Sequence, residues 1–303
     1  MNSKNTMSRW VLLSLVAALA VPTLASAQED GEPTEVVVHD RERGELSPGA
    51  QAPTREEMMN GIQTASTEGL IALLEYGERV ECHACVPLLE RNLLESEDPE
   101  VRRISAWWLR HRPFAIPAIM NRMVTALESD SSPVRRARAA RAIGEFLDPN
   151  GLEPLTDAFD REGESVVREA VVRALGRLNH PGGNAVLGQA LADTNVEVRR
   201  AAIDQVLKVN FFREHDALLG ALGDDDTMVR MRAARIVGQM RLAESVPALA
   251  ALLRGDESLR VRQAAAWALG HIGGADARGA LREAMTTETE SLVLDALEVA
   301  LLM

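Results

Sequence analysis

Apolar and polar positions return along this chain in long, regular waves. Val-Arg pairs fall at Val101-Arg102, Val134-Arg135, Val167-Arg168, Val198-Arg199, Val229-Arg230 and Val261-Arg262, 31 to 33 residues apart. Each pair opens a stretch with apolar residues at offsets 0, 3 or 4, 7 and 8, which is the spacing of one helical face. The best copies, Val229–Gly238 and Val261–Gly270, are rich in alanine, and arginines occupy the remaining faces. Glycine often closes the stretch, at Gly144, Gly176, Gly238 and Gly270, where it is expected in the left-handed position of a helix C-terminus. A second, shorter helix follows, with proline in its first turn at Pro87, Pro117, Pro154 and Pro247.

A hairpin of about 32 residues cannot bury its own apolar face, and stacking on its neighbours solves that. The pattern therefore predicts an all-α solenoid over residues 54–303, about seven hairpins with the last one partial. At its start, Thr54 and Glu57 form a capping box for a helix over 54–65, with further helices over 68–76 and 86–94. At its end, residues 292–303 make a helix with only Asp295 and Glu298 polar, which reads as a cap on the stack or as a homodimer contact. The pattern acidic/Pro-x-Val-Arg-x-x-Ala-Ala-x-Ala-Leu-Gly resembles the HEAT-like repeats of the phycobilisome-lyase type, best at 128–159, 223–253 and 254–285. That resemblance implies an α-solenoid that binds proteins. It also points to relatives that are bilin lyases, and to deoxyhypusine hydroxylases that hold iron through His-Glu pairs. This chain contains no His-Glu dipeptide.

Composition sharpens the picture. Of the 303 residues 46% are apolar but only 3% aromatic, as thin layers of alanine, leucine and valine require. The formal charge of −12 argues against nucleic acid as a partner. Residues 1–27 read as a cleaved signal peptide: Lys4 and Arg9, an apolar run from Val11 to Leu24, then Ala25-Ser26-Ala27. That run is too short for a membrane span, so the expected location is the periplasm or the medium. Residues 28–53, with acids from Glu29 to Glu45 and Pro33, Pro48 and Pro53, read as an acidic disordered tether.

Candidate chemistry is sparse. Cys82-His83-Ala84-Cys85 precedes a helix, so a thiolate there would be stabilised. In an oxidising compartment the pair reads first as a local structural disulfide, then as a thiol-exchange site, then as a haem or metal site. No cofactor is called for by the other residues. His180 and His271 read as corresponding turn residues. Trp107 and Trp267 share one offset in their repeats and point away from the apolar face; with Trp108 they are candidate anchors for a partner. Arg138, Arg141 and Arg235 could form a basic stripe that grips an acidic protein, although arginine–acid ladders between hairpins would consume many such charges. The whole reads as an exported, non-catalytic scaffold for a protein or peptide.

Overall fold

The repeat period becomes a run of antiparallel helices. The computed structural model describes residues 52–210 and 212–303, so the signal segment and tether lie outside the described residues. Among these are sixteen α-helices and no strand. The first half comprises α1 (Arg55–Thr64), α2 (Thr67–Tyr76), α3 (Cys85–Glu95), α4 (Pro99–Arg110), α5 (Ile116–Ser129), α6 (Pro133–Phe146), α7 (Leu152–Arg161) and α8 (Ser165–Leu178). The second comprises α9 (Asn184–Ala190), α10 (Val196–Val206), α11 (His215–Gly220), α12 (Thr227–Gln239), α13 (Val246–Gly255), α14 (Leu259–Ile272), α15 (Gly274–Thr287) and α16 (Ser291–Leu301). The even-numbered helices stack on one another as one layer, and odd-numbered helices pack behind them as the second. Seven hairpins run from α2 to α15, flanked by α1 and α16. The Thr54–Glu57 capping box opens α1 as expected. This is an α-solenoid.

The two layers are built from different residues. Even-numbered helices bury alanine pairs such as Ala139 and Ala140, Ala201 and Ala202, and Ala233 and Ala234. Odd-numbered helices bury leucines, among them Leu89, Leu155, Leu249 and Leu281. Alanine lets neighbouring helices approach closely, and glycine takes this to backbone contact. A Cβ added to Gly144, Gly238 or Gly270 would stand 2.6, 2.6 or 2.9 Å from the Cα of Ala174, Ala268 or Ala300. These glycines therefore sit inside their helices, not in the left-handed position expected of them. That conformation falls three residues later, at Leu147, Asn179, Arg241 and Gly273. The pattern is not uniform: the glycine position is Arg110 in α4 and Leu207 after the end of α10, and α10 and α12 present Gln205 and Ile236 where α8, α14 and α16 present alanine.

A ladder of arginines and carboxylates ties hairpin to hairpin. Arg136 donates from Nε and Nη2 to both oxygens of Glu162 (2.8 and 2.9 Å) and from Nη1 to the Asp130 carbonyl at 2.9 Å. The same fork recurs from Arg168 to Asp193, Arg199 to Asp224, Arg230 to Asp256 and Arg262 to Glu288. Each arginine also holds the carbonyl six residues before it, and each acid accepts the N–H two residues after it. Every rung thus joins a helix of one hairpin to the turn that starts the next. The acids are nearly out of water, with side chains 4 to 11% exposed. The ladder also corrects the register of the third repeat. Its rung is Arg136, eight residues before Gly144, as Arg168, Arg230 and Arg262 stand eight before theirs. Val134, expected on the buried face, is 49% exposed, and Arg135 takes the valine position.

Truncating a middle rung strands a carboxylate that little water reaches. Arg199→Ala is expected to lower stability by about 2–3 kcal/mol, read as a shift in the urea midpoint. Acid should weaken the same ties. The Arg136 fork holds the Glu162 carboxyl below its ordinary range. Burial pushes the Asp193 and Glu288 carboxyls up, and the forks of Arg168 and Arg262 with backbone N–H groups outweigh it, so both are also lowered. Carboxyls depressed by folding give their stabilisation in full above their unfolded values, near pH 4, and lose it as pH falls through the folded values. The midpoint should hold from neutral pH to about pH 5.5 and drop below about pH 4.

Candidate functional site

With the rung arginines engaged, a second set of side chains faces outward from the even-numbered layer. Trp267 of α14 is half-buried over Gly238, to which a Cβ would bring its Cζ3 within 3.1 Å, and its ring stacks on His271 at 3.7 Å between centroids. Trp107 of α4 pairs with His111 in the same way, edge-on at 5.0 Å. In both, the His Nδ1 lies by the tryptophan carbonyl, at 2.8 Å for His111 and 3.1 Å for His271. His271 therefore belongs to the last turn of α14 and corresponds to His111. His180, with which it was matched, sits in a turn and accepts the Gly182 N–H at 3.1 Å.

Two grooves open on this layer. Exposed Arg235, Arg260 and Trp267 share one, of about 630 Å³, with Met231 and Ala296. Arg138 and Arg141 line another, of about 250 Å³, far along the array in sequence. The fold thus brings Arg235 to Trp267 and Arg138 to Arg141 but gathers no single stripe. Arg138 is only 8% exposed: it donates to the Leu94 carbonyl at 2.9 Å and meets Glu97 at 2.8 Å. Arg141 pairs with Glu169 at 2.8 Å.

Trp108 is not a surface anchor. It is fully buried, donates from Nε1 to the Gly77 carbonyl at 3.1 Å, and carries the Arg112 guanidinium on its ring at 3.7 Å. The helix turns about 100° per residue, so adjacent tryptophans face opposite environments. Buried Arg112 donates to the carbonyls of Gly77, Glu78 and Val80, which closes the turn leading from α2 to the cysteines. The sequence offered one sign of this residue: arginine stands two after Arg110, where other repeats place an apolar side chain such as Phe146, Leu178 or Ile272. The structure bonds Cys82 to Cys85 with their Cα atoms 5.2 Å apart, both residues buried and His83 exposed against Phe114. Among the described residues no three His, Cys, Asp or Glu side chains gather as a metal-holding group, and no helix is long and apolar enough to cross a membrane.

Paired helices stacked in two layers and tied by rungs at five successive joints define the class as an α-helical repeat array. A family model for HEAT repeats matches residues 86–176, 120–208 and 215–302, and the chain belongs to that family. No curated protein matches it in sequence. Among solved structures, Escherichia coli YibA is similar at 15% identity and a TM-score of 0.53, over 82% of this chain and 92% of that one. Kap95p, solved with RanGDP, is similar at 15% identity and 0.57, over 81% of this chain and 38% of its own. The Schizosaccharomyces pombe condensin Cnd3–Cnd2 subcomplex is similar at 18% identity and 0.56, over 77% of this chain and 37% of that one. These likenesses concern the fold.

The two adjacent tryptophans give a direct test of the placement. Trp108→Phe removes the bond to Gly77 and weakens the Arg112 stack, and is expected to cost about 1–3 kcal/mol in urea unfolding. Trp107→Ala, at a half-exposed position, should cost less than Trp108→Ala in the same measurement.

Proposed function

We propose that this chain is an exported, non-catalytic scaffold that holds a protein partner on the outer face of its even-numbered layer. The observation that carries the reading is the groove at α12 and α14. There a half-buried tryptophan and two arginines without a part in the ladder surround apolar side chains. Rigid aromatic and arginine side chains beside a concave apolar surface are what protein interfaces use as anchors. Kap95p with RanGDP and the condensin Cnd3–Cnd2 subcomplex are protein assemblies that include the same fold, which supports the class of partner. Export rests on the charged, apolar and small-residue order of residues 1–27.

The cysteine pair fits a structural role better than thiol exchange. Exchange needs in-line access of a thiolate to one sulfur, and Cys82 and Cys85 are 1% and 0% exposed. A contact between two copies is the reading favoured by α16 and the two residues after it, where Leu292, Val299, Leu302 and Met303 are each more than half exposed.

Crosslinked capture from the periplasmic fraction of the native host tests the scaffold. The unaltered chain is expected to retain a defined partner that the Trp267→Ala, Arg235→Ala double variant loses while keeping its helical circular dichroism. Equal capture by both would sink the assignment of this groove. Light scattering on the same material separates a partner complex from a pair of identical chains.

A further inference from the structure

The ladder breaks at its first rung, and the break has a specific cause. Arg102 stands where Arg136, Arg168, Arg199, Arg230 and Arg262 stand in later repeats, and like them it donates from Nη1 to the carbonyl six residues before, Ser96, at 2.6 Å. Its acid should be Asp130, which lies six residues before Arg136 as Glu162, Asp193, Asp224 and Asp256 lie six before their arginines. Asp130 even accepts the Ser132 N–H in the manner of the other rung acids, at 2.9 Å. Its other oxygen, however, takes Nε of Arg135 at 2.7 Å. Arg135 occupies the position that is valine in the other repeats, and from there it reaches Asp130 within its own turn. Arg102 makes no ion pair among the described residues, whereas its five counterparts each hold a carboxylate.

Arg102, so released, lines the groove of about 250 Å³ between α4, α6 and α8. Six arginines and two glutamates line this groove over a floor that includes Leu93, Ala106, Ala142 and Ala174. Burial and the neighbouring charges of Arg138 and Arg141 press the Arg102 pKa down despite Glu97 and Asp98, the signature of a cation short of counter-charge. The other five groove arginines each meet a carboxylate, Arg103 with Glu100, Arg138 with Glu97, Arg141 and Arg173 with Glu169, and Arg177 with Glu145. The demand for an anion is therefore that of Arg102, and the later rungs specify which kind. In five repeats the same arginine position, with the same hold on the preceding turn, takes a planar carboxylate. The apolar floor asks for a hydrophobic neighbour to that carboxylate. A long polyanion is opposed by the formal charge of −12 on the whole chain.

We propose that the groove between α4, α6 and α8 binds an acidic, leucine-bearing segment of a protein partner, whose carboxylate pairs with Arg102 and so completes the first rung in trans. Arg138 and Arg141 flank the incoming charge, and Arg135 keeps the site open by holding Asp130. This deepens the scaffold reading above and rests on it, naming the partner chemistry at a second groove of the same layer.

The test uses the full chain and fluorescence anisotropy with a labelled Glu/Leu peptide, its Gln/Leu counterpart as control, and inorganic phosphate and a single-stranded oligonucleotide as competitors. Saturable binding of the Glu/Leu peptide is expected, with weak competition by phosphate and oligonucleotide at matched ionic strength. Arg102→Gln should weaken it at least about tenfold, the loss of one charge-assisted pair. Arg135→Val, which leaves every groove arginine in place, should weaken it comparably by returning Asp130 to Arg102, without lowering the melting temperature. Arg254→Gln, on α13 in the other layer, should bind as the unaltered chain does. Unchanged affinity in both Arg102→Gln and Arg135→Val, absence of saturable binding, or equal displacement by the oligonucleotide would each overturn the proposal. If the peptide fails to bind while native partner capture still depends on Trp267, the acidic-segment proposal falls and the scaffold reading stands. Failure of the unaltered chain to capture any partner removes the scaffold reading instead.

Discussion

Everything in this array depends on a fork of two hydrogen bonds from one arginine to one carboxylate, repeated down the stack. A hairpin alone has an apolar face and a short core, and its helices have no reason to hold one angle to the next pair. The rung supplies that angle. It takes an arginine from the first turn of one even-numbered helix and anchors it to the turn that caps the next. Because the acid also accepts a backbone N–H in its own turn, the contact that joins two hairpins also orders the start of the second. The flat guanidinium matches the carboxylate at two points and so fixes direction as well as distance, which a lysine could not do. All five rung positions are accordingly arginine.

How much of this was readable from the residues depended on whether the signal was local. Helix spacing, the alanine faces, the Thr54 capping box and the prolines of the odd-numbered helices are all short-range, and each maps onto the observed elements. The four repeat glycines misled because two physical reasons for glycine, a positive φ and a close approach, look identical in a sequence. Their constant spacing of eight from the rung arginine was the better clue, and it also marks the third repeat as shifted, since Val134-Arg135 imitates the motif one residue early.

The candidate site was harder to read for the same reason. Arg138, Arg141 and Arg235 resemble Arg136 and Arg230 in a sequence, and only the stacked hairpins show which are spent on rungs and which line grooves. Trp107 and Trp108 illustrate the limit at its sharpest: one residue of rotation separates an outward ring from a fully buried one. Arg102 could not have been found from its own repeat at all. Its significance comes from Arg135, thirty-three residues on, which replaces a valine and claims the acid that five other repeats assign across the joint.

The joint between α10 and α12 lacks the glycine–alanine approach that closes α6 on α8, α12 on α14 and α14 on α16. In its place stand three ion pairs: Arg199 with Asp224, Arg200 with Asp226, and Arg232 with Asp204. Backbone contact is indifferent to dissolved salt, whereas charges at a partly wet seam are screened by it, with a reach of about 8 Å at physiological ionic strength. The α10–α12 joint therefore leans on charge more than those three joints do, and the ionic strength of the surroundings bears on it more directly than on a seam closed by backbone contact.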